Sequence, residues 1–163
     1  MPSNKTQSFG SIRIQEQDFS IETEYALLRK GKLSNIGAIC TFTGLVREFG
    51  DRKDVTGMFL EHYPGMTEHC LQKILDQAAE RWKLNDMTVI HRVGQLTLSE
   101  QIVFVGVSSA HRADAFAACE FVMDYLKTEA PFWKKETYTN DSQWVEAKQS
   151  DQQRIQKWSN NKT

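Results

Sequence analysis

Hydrophobic and polar positions along the chain switch between a two-residue and a three-to-four-residue period. From residue 9 to 14, Phe9, Ile12 and Ile14 alternate with Ser11 and Arg13, which predicts a first strand. Ser20 is placed to cap a short helix carrying Tyr25, Leu27 and Leu28, with Gly31 as its stop. Residues 37–46, rich in β-branched and small side chains, predict a strand. The charged stretch 47–54 predicts a loop, and residues 55–63 a second strand paired with the previous one across it. Tyr63-Pro64-Gly65 makes a turn, with Thr67 as a cap for the next helix. There Cys70, Leu71, Ile74, Leu75, Ala78 and Trp82 recur at helical spacing and form one apolar face. Residues 87–93 and 101–108 predict strands, with a shorter one at 95–98. A second long helix is expected over 110–128, burying Ala113, Phe116, Ala117, Phe121 and Leu126 or their near neighbours. Pro131 ends it, because the residue before a proline is pushed out of the helical region. Strands at 132–138 and 143–147 and a last short helix from Ser150-Asp151 complete the pattern. Several strands follow one another directly, so the class is α+β rather than alternating α/β.

Composition narrows the field. The chain has 163 residues, about the size of one domain, with 20 Lys and Arg against 21 Asp and Glu and a net charge of −1. That balance argues against a general binder of nucleic acid or anionic membrane. No apolar stretch approaches the roughly 20 residues needed to span a bilayer. The first ten residues hold no hydrophobic run of a secretory signal, so a cytoplasmic protein is expected. Cys40, Cys70 and Cys119 are odd in number and far apart, which predicts three buried free thiols rather than disulfides or a zinc site. The expected layout is an N-terminal extension at 1–8 without order, one domain over 9–158, and a frayed tail at 159–163.

The common catalytic signatures are missing. The four histidines form no metal-binding spacing, and no nucleophile elbow, dinucleotide fingerprint or P-loop occurs; no metal and no cofactor is expected. What stands out is positive charge. His111 and Arg112 occupy the start of the second long helix, where the dipole favours acids. Two explanations are open: an anion held by the helix N–H groups and both side chains, or a pairing of Arg112 with Asp114 or Glu120. Lys127, near the other end of that helix, has Asp124 one turn back as an ion-pair partner. In the strand that follows, alternation puts Phe132 and Lys134 on one face and Trp133 and Lys135 on the other. Beside apolar rings and a second cation, Lys134 would serve as a nucleophile or proton donor; as an exposed edge lysine it would guard against aggregation. Residue types and spacing leave both an anion-binding enzyme and a partner-binding domain open.

The segments at 60–68 (LEHYPGMTE), 89–94 (VIHRVG), 102–107 (IVFVGV), 109–112 (SAHR) and 123–128 (MDYLKT) resemble the large, catalytic subunit of molybdopterin synthase. So do 130–136 (APFWKKE), 144–147 (WVEA) and 150–153 (SDQQ), in the same order over nearly the whole chain. The resemblance implies an α+β fold of hammerhead type, with mixed or antiparallel sheet and two main amphipathic helices. It also implies a homodimer with one small subunit at each end, a heterotetramer. The implied reaction is sulfur transfer, turning cyclic pyranopterin monophosphate into molybdopterin. The implied partner is a small ubiquitin-like sulfur carrier whose C-terminal Gly-Gly ends in a thiocarboxylate. Carried over residue by residue, the catalytic lysines are Lys127 and Lys134. Arg47, His111 and Arg112 recognise the substrate phosphate, Arg47 reaching in from a second protomer. Lys148 stands where the family often has arginine and is a weaker binding candidate, because lysine makes no bidentate phosphate contact. Nothing specific is implied for the loop at 48–54. Two rival readings are a non-catalytic module that docks the tail of a ubiquitin-like protein, and an unrelated lysine enzyme working through a Schiff base.

Overall fold

A computed structural model describes residues 8–30, 33–48, 52–146 and 149–159. The elements run β1 (Ser11–Gln15), α1 (Ile21–Arg29), β2 (Ala38–Leu45), β3 (Val55–His62), α2 (Met66–Arg81), β4 (Asp86–Arg92) and β5 (Gly94–Thr97). Then follow β6 (Gln101–Ser109), α3 (Arg112–Glu129), β7 (Phe132–Tyr138), β8 (Ser142–Val145) and α4 (Gln149–Ser159). The strands form two four-stranded sheets, ordered β1-β4-β6-β2 and β5-β3-β7-β8. The first is mixed, since β1 runs parallel to β4 while β4, β6 and β2 are antiparallel; the second is antiparallel throughout. This is the expected α+β class with α2 and α3 as its long helices.

The alternation of β6 decides what lies on either side of the first sheet. Val103, Val105 and Val107 join Leu71, Ile74, Leu75 and Ala78 of α2 and Ala118, Phe121 and Val122 of α3 in the main core. Phe104 points the other way, into a smaller cluster with Ile90, Phe19 and Leu28 of α1. The sheet is thus sandwiched by α1 on one face and by α2 and α3 on the other. Each fully buried leucine or phenylalanine is worth about 1.5–3 kcal/mol.

Several expectations need correction. β2 and β3 do not form a hairpin: β2 pairs with β6, while β3 lies in the other sheet between β5 and β7. The chain leaves β2 at a register shift after Gly44, and Val46 closes hydrogen bonds with Ser99 and Glu100. Val46 then packs with Met58, Leu60 and Leu96, so burial of one side chain draws the chain to the second sheet. Thr67 is not the cap of α2. Gly65 holds that position at φ +86°, where a side chain would be strained, and its N–H donates to Glu68 Oε2 at 2.6 Å. In α3 the inward stripe is Ala115, Ala118, Cys119, Val122 and Leu126 together with Phe121; Ala113 and Phe116 face solvent. Apolar residues surround this helix, so periodicity alone did not choose the stripe. Cys119 is buried, but Cys40 and Cys70 are only half-buried; all three thiols are free.

Asp124 is not the partner of Lys127. Its carboxylate accepts from Arg154 Nε at 2.7 Å and Trp158 Nε1 at 2.8 Å, which docks α4 onto α3. Glu120 is likewise engaged by Arg154 and Lys157 rather than by Arg112. Apart from Ser8 and from Ser159, which closes α4, the expected termini at 1–8 and 159–163 lie outside the described residues, as does Lys148. Among the described residues no helix is long and apolar enough to cross a membrane.

Candidate active site

The site begins at a double tie. The Thr67 hydroxyl, buried at the start of α2, accepts from Tyr63 N–H at 2.9 Å and donates to the Pro131 carbonyl at 3.0 Å. One side chain therefore joins the β3–α2 turn to the α3–β7 turn. Pro131 stops α3 just after the turn that carries Lys127, and β7 starts at once with Phe132. In β7, Phe132 lies opposite His62 of β3, and Lys134 is flanked by Leu60 of β3 and Val145 of β8. Period-two alternation gives Phe132, Lys134, Glu136 and Tyr138 a common face, as expected for the first two. Glu136 and Tyr138 are buried and joined by a 2.5 Å hydrogen bond from the phenol to the carboxylate.

His91 of β4 forms the floor. Its ring stacks on Phe132, with centroids 3.8 Å apart and planes 16° from parallel, and Nδ1 lies 2.8 Å from the Arg92 carbonyl. Burial is the main reason its pKa is pushed down from 6.5 to about 3, against the opposing pull of the Arg92 carbonyl. The charges of Lys134, Lys127 and His62 push the same way. Lys127 sits in the last turn of α3 and Lys134 two residues past Phe132 in β7, so both positive charges act on the imidazole from the elements on either side of Pro131. His62 adds a third group, with Glu68 Oε1 3.6 Å from its Nε2.

The remaining predicted residues divide between the two ends of the first sheet. Val103 of β6 pairs with both His91 and Gly44, so Arg47, which follows β2, leaves the sheet at the end where His91 lies. His111 and Arg112 stand at the opposite end. His111 N–H donates to Ser109 Oγ at 3.3 Å, and Ser109 pairs with Ala38, the first residue of β2. Along α3, Arg112 and Lys127 are separated by about 22 Å at 1.5 Å per residue. Arg47 thus follows β2 at the His91 end of the first sheet, whereas His111 and Arg112 stand at the other end. A groove of about 1020 Å³ is a different place. It runs between α2, α3 and α4 and is lined by Trp82, Phe121, Tyr125 and Trp158, with none of the predicted site residues.

Sequence reasoning missed His91 and His62, which it weighed only as metal ligands. The available signal was an imidazole directly after Val89 and Ile90 in a strand expected to be buried, a place that favours a neutral histidine.

A family model described as MoaE protein matches residues 14–129. The chain belongs to this family. It is 54% identical over 147 residues to the molybdopterin synthase catalytic subunit of Vibrio cholerae, covering 90% of this chain and 97% of that one. Among solved structures, molybdopterin cofactor biosynthesis protein E from Burkholderia multivorans superposes with a TM-score of 0.78 at 46% identity, covering 93% of this chain and 97% of that one. Molybdopterin synthase from Staphylococcus aureus gives 0.73 at 31% identity, covering 86% and 98%. The activity of this MoaE chain is that of a molybdopterin synthase catalytic subunit, an enzyme of molybdenum cofactor biosynthesis.

Proposed function

We propose that this chain converts cyclic pyranopterin monophosphate to molybdopterin with two sulfurs delivered as thiocarboxylates by a small ubiquitin-like partner. What supports this reading is the placement of Lys127 in the last turn of α3 and of Lys134 two residues past Phe132, whose ring stacks on the buried His91. A thiocarboxylate is an anion, and its attack on the pterin side chain builds further negative charge at the carbon it meets. Two ammonium groups held over a neutral floor compensate that charge without ordering a counterion at each turnover. Lys134, braced in β7 between two strands, protonates the departing oxygen; Lys127, on the last turn of α3, positions the thiocarboxylate. The partner's extended tail supplies the sulfur: its thiocarboxylate attacks carbon as the protonated oxygen leaves, and water then hydrolyses the resulting thioester, freeing the new thiol and leaving a carboxylate on the tail.

Arg47, His111 and Arg112 bind the substrate phosphate, with Lys148 as a weaker contributor. Because His111 and Arg112 lie at the far end of their own chain, the working unit is a homodimer, with one small subunit at each end as a heterotetramer. The balanced net charge and the free thiols suit the cytoplasm.

Mixing the protein with thiocarboxylated small subunit and the cyclic phosphate precursor tests the reading through the dithiolene product. Binding without turnover identifies a docking module instead. A borohydride-trapped imine on Lys134 identifies a Schiff-base enzyme. Product formed at the wild-type rate by a folded Lys134→Ala protein removes that lysine from the chemistry.

A further inference from the structure

His62 closes β3 and pairs in register with Phe132 of β7, so the two side chains share a face of the second sheet. Lys134 lies on that face too. It is the diagonal neighbour of His62, at about 7–8 Å, within reach of a long side chain. The Phe132 ring stacks on His91, and the charge of His62 adds to those that disfavour protonation of His91. The His62 side chain is mostly covered, with 21% of it open to solvent. Water can therefore reach an imidazole that stands beside the lysine strand.

The turn into α2 places a carboxylate behind that ring. Gly65, at φ +86°, donates its N–H to Glu68 Oε2 at 2.6 Å, which occupies one carboxylate oxygen and fixes the side chain. The other oxygen, Oε1, lies 3.6 Å from His62 Nε2. That separation is too long for a hydrogen bond, and it shortens once the ring gains a proton and a carboxylate faces an imidazolium. Nor can the turn drift from the lysine strand. Thr67 joins the Tyr63 N–H to the Pro131 carbonyl, one residue before Phe132. His62, Gly65, Thr67 and Glu68 thus make one unit: an imidazole, a carboxylate aimed at it, and a clamp that keeps both against β7.

From this unit we infer that His62 is the general base that hydrolyses the thioester left after each sulfur transfer, with Glu68 as its positioning residue. The inference rests on the thiocarboxylate reading above and assigns its hydrolytic step. An imidazole takes a proton from water near neutral pH, whereas a lysine in its resting ammonium form does not. His91 is no substitute, because a pKa of about 3 makes it a far weaker base. In the step, water gives one proton to the His62 ring while its hydroxide joins the acyl carbon of the partner's tail. The carbon–sulfur bond then breaks, and the thiolate takes the proton back from the imidazolium. The new carboxylic acid releases its own proton to solvent. Glu68 steadies the imidazolium between the two transfers.

Intact-mass measurement of the carrier during a single turnover reads this step directly. With thiocarboxylated small subunit and the cyclic phosphate precursor, the wild-type chain is expected to leave carrier carboxylate and little adduct. His62→Gln is expected to form the carrier–pterin thioester and to hydrolyse it about 100-fold more slowly, so that the adduct builds up. In His62→Ala, added imidazole is expected to restore part of the lost rate. Glu68→Gln, whose amide oxygen still accepts from the Gly65 N–H, is expected to slow the same step by less; an unchanged rate removes Glu68 from it. Hydrolysis by His62→Gln at the wild-type rate hands the base to Lys134 or to solvent and overturns the inference. So does a slow variant that accumulates no adduct and gains nothing from imidazole, the mark of a structural role. If the wild-type chain yields neither thioester nor product, the thiocarboxylate reading itself fails and takes the role of His62 with it.

Discussion

The imidazole of His91 lies flat on the ring of Phe132, 3.8 Å between centroids, and the charges of Lys134, Lys127 and His62 add to burial in disfavouring its protonation. A buried base in that position stays neutral, so it serves as a floor for the cations rather than as one of them. The pH dependence of folding follows from this. The pKa of His91 is about 3 in the folded chain and 6.5 ordinarily, so between these values the unfolded chain carries the extra proton. His91 leaves stability untouched above pH 6.5 and reduces it as pH falls towards 3, by up to about 1.4 kcal/mol per pH unit. In His91→Gln the urea stability measured between pH 4 and 6 is expected to fall less steeply than in the wild type. An unchanged slope contradicts a neutral buried imidazole.

Lys134→Ala is expected to reduce product formation by about 100-fold or more, the usual cost of removing one group that meets developing charge. Lys134→Arg keeps the charge and loses the transferable proton, so it should bind the small partner normally while its turnover stays low. Lys127→Ala should mainly weaken use of the thiocarboxylated partner. Steady-state rates at varied partner concentration distinguish the two lysines.

Thr67 is the knot between the two turns that frame the site. Thr67→Val keeps the shape and removes both hydrogen bonds, leaving the Tyr63 N–H and the Pro131 carbonyl without their partner. A loss of about 1–3 kcal/mol in urea unfolding is expected, while Thr67→Ser keeps most of the stability.

Asp124 holds the C-terminal helix. Asp124→Ala strands the Trp158 indole N–H and frees Arg154, at a cost of about 2 kcal/mol given that Arg154 is half exposed. Limited proteolysis is expected to cut within residues 149–159 before the rest of the chain. Equal protection of α4 in this variant would show that the aromatic contacts of Trp158 with Trp82 and Phe121 suffice.

Local chemistry made most elements legible. The β6 run of valines, the helical spacing of Leu71, Ile74, Leu75 and Ala78, and Pro131 after α3 each act within a few residues, and each reads correctly. The rank of Lys134 beside Phe132 was legible too, because strand alternation is a local rule. The pairing of β2 was not. Residues 37–46 and 55–63 look like a hairpin from nearby residues, and what separates them is the burial of Val46 against Met58 and Leu96.

Residue order alone was enough to place each candidate side chain on its element and, through several motifs in register, to point to the family. It could not reveal that Lys127 and Arg112 stand at opposite ends of one rigid helix, nor that Asp124 turns away from Lys127 towards Trp158. It also could not reveal that His91 would be stripped of water beneath Phe132. Those outcomes depend on which distant surfaces exclude solvent together, and desolvation and long-range packing exist only once the sheets and helices have closed on each other.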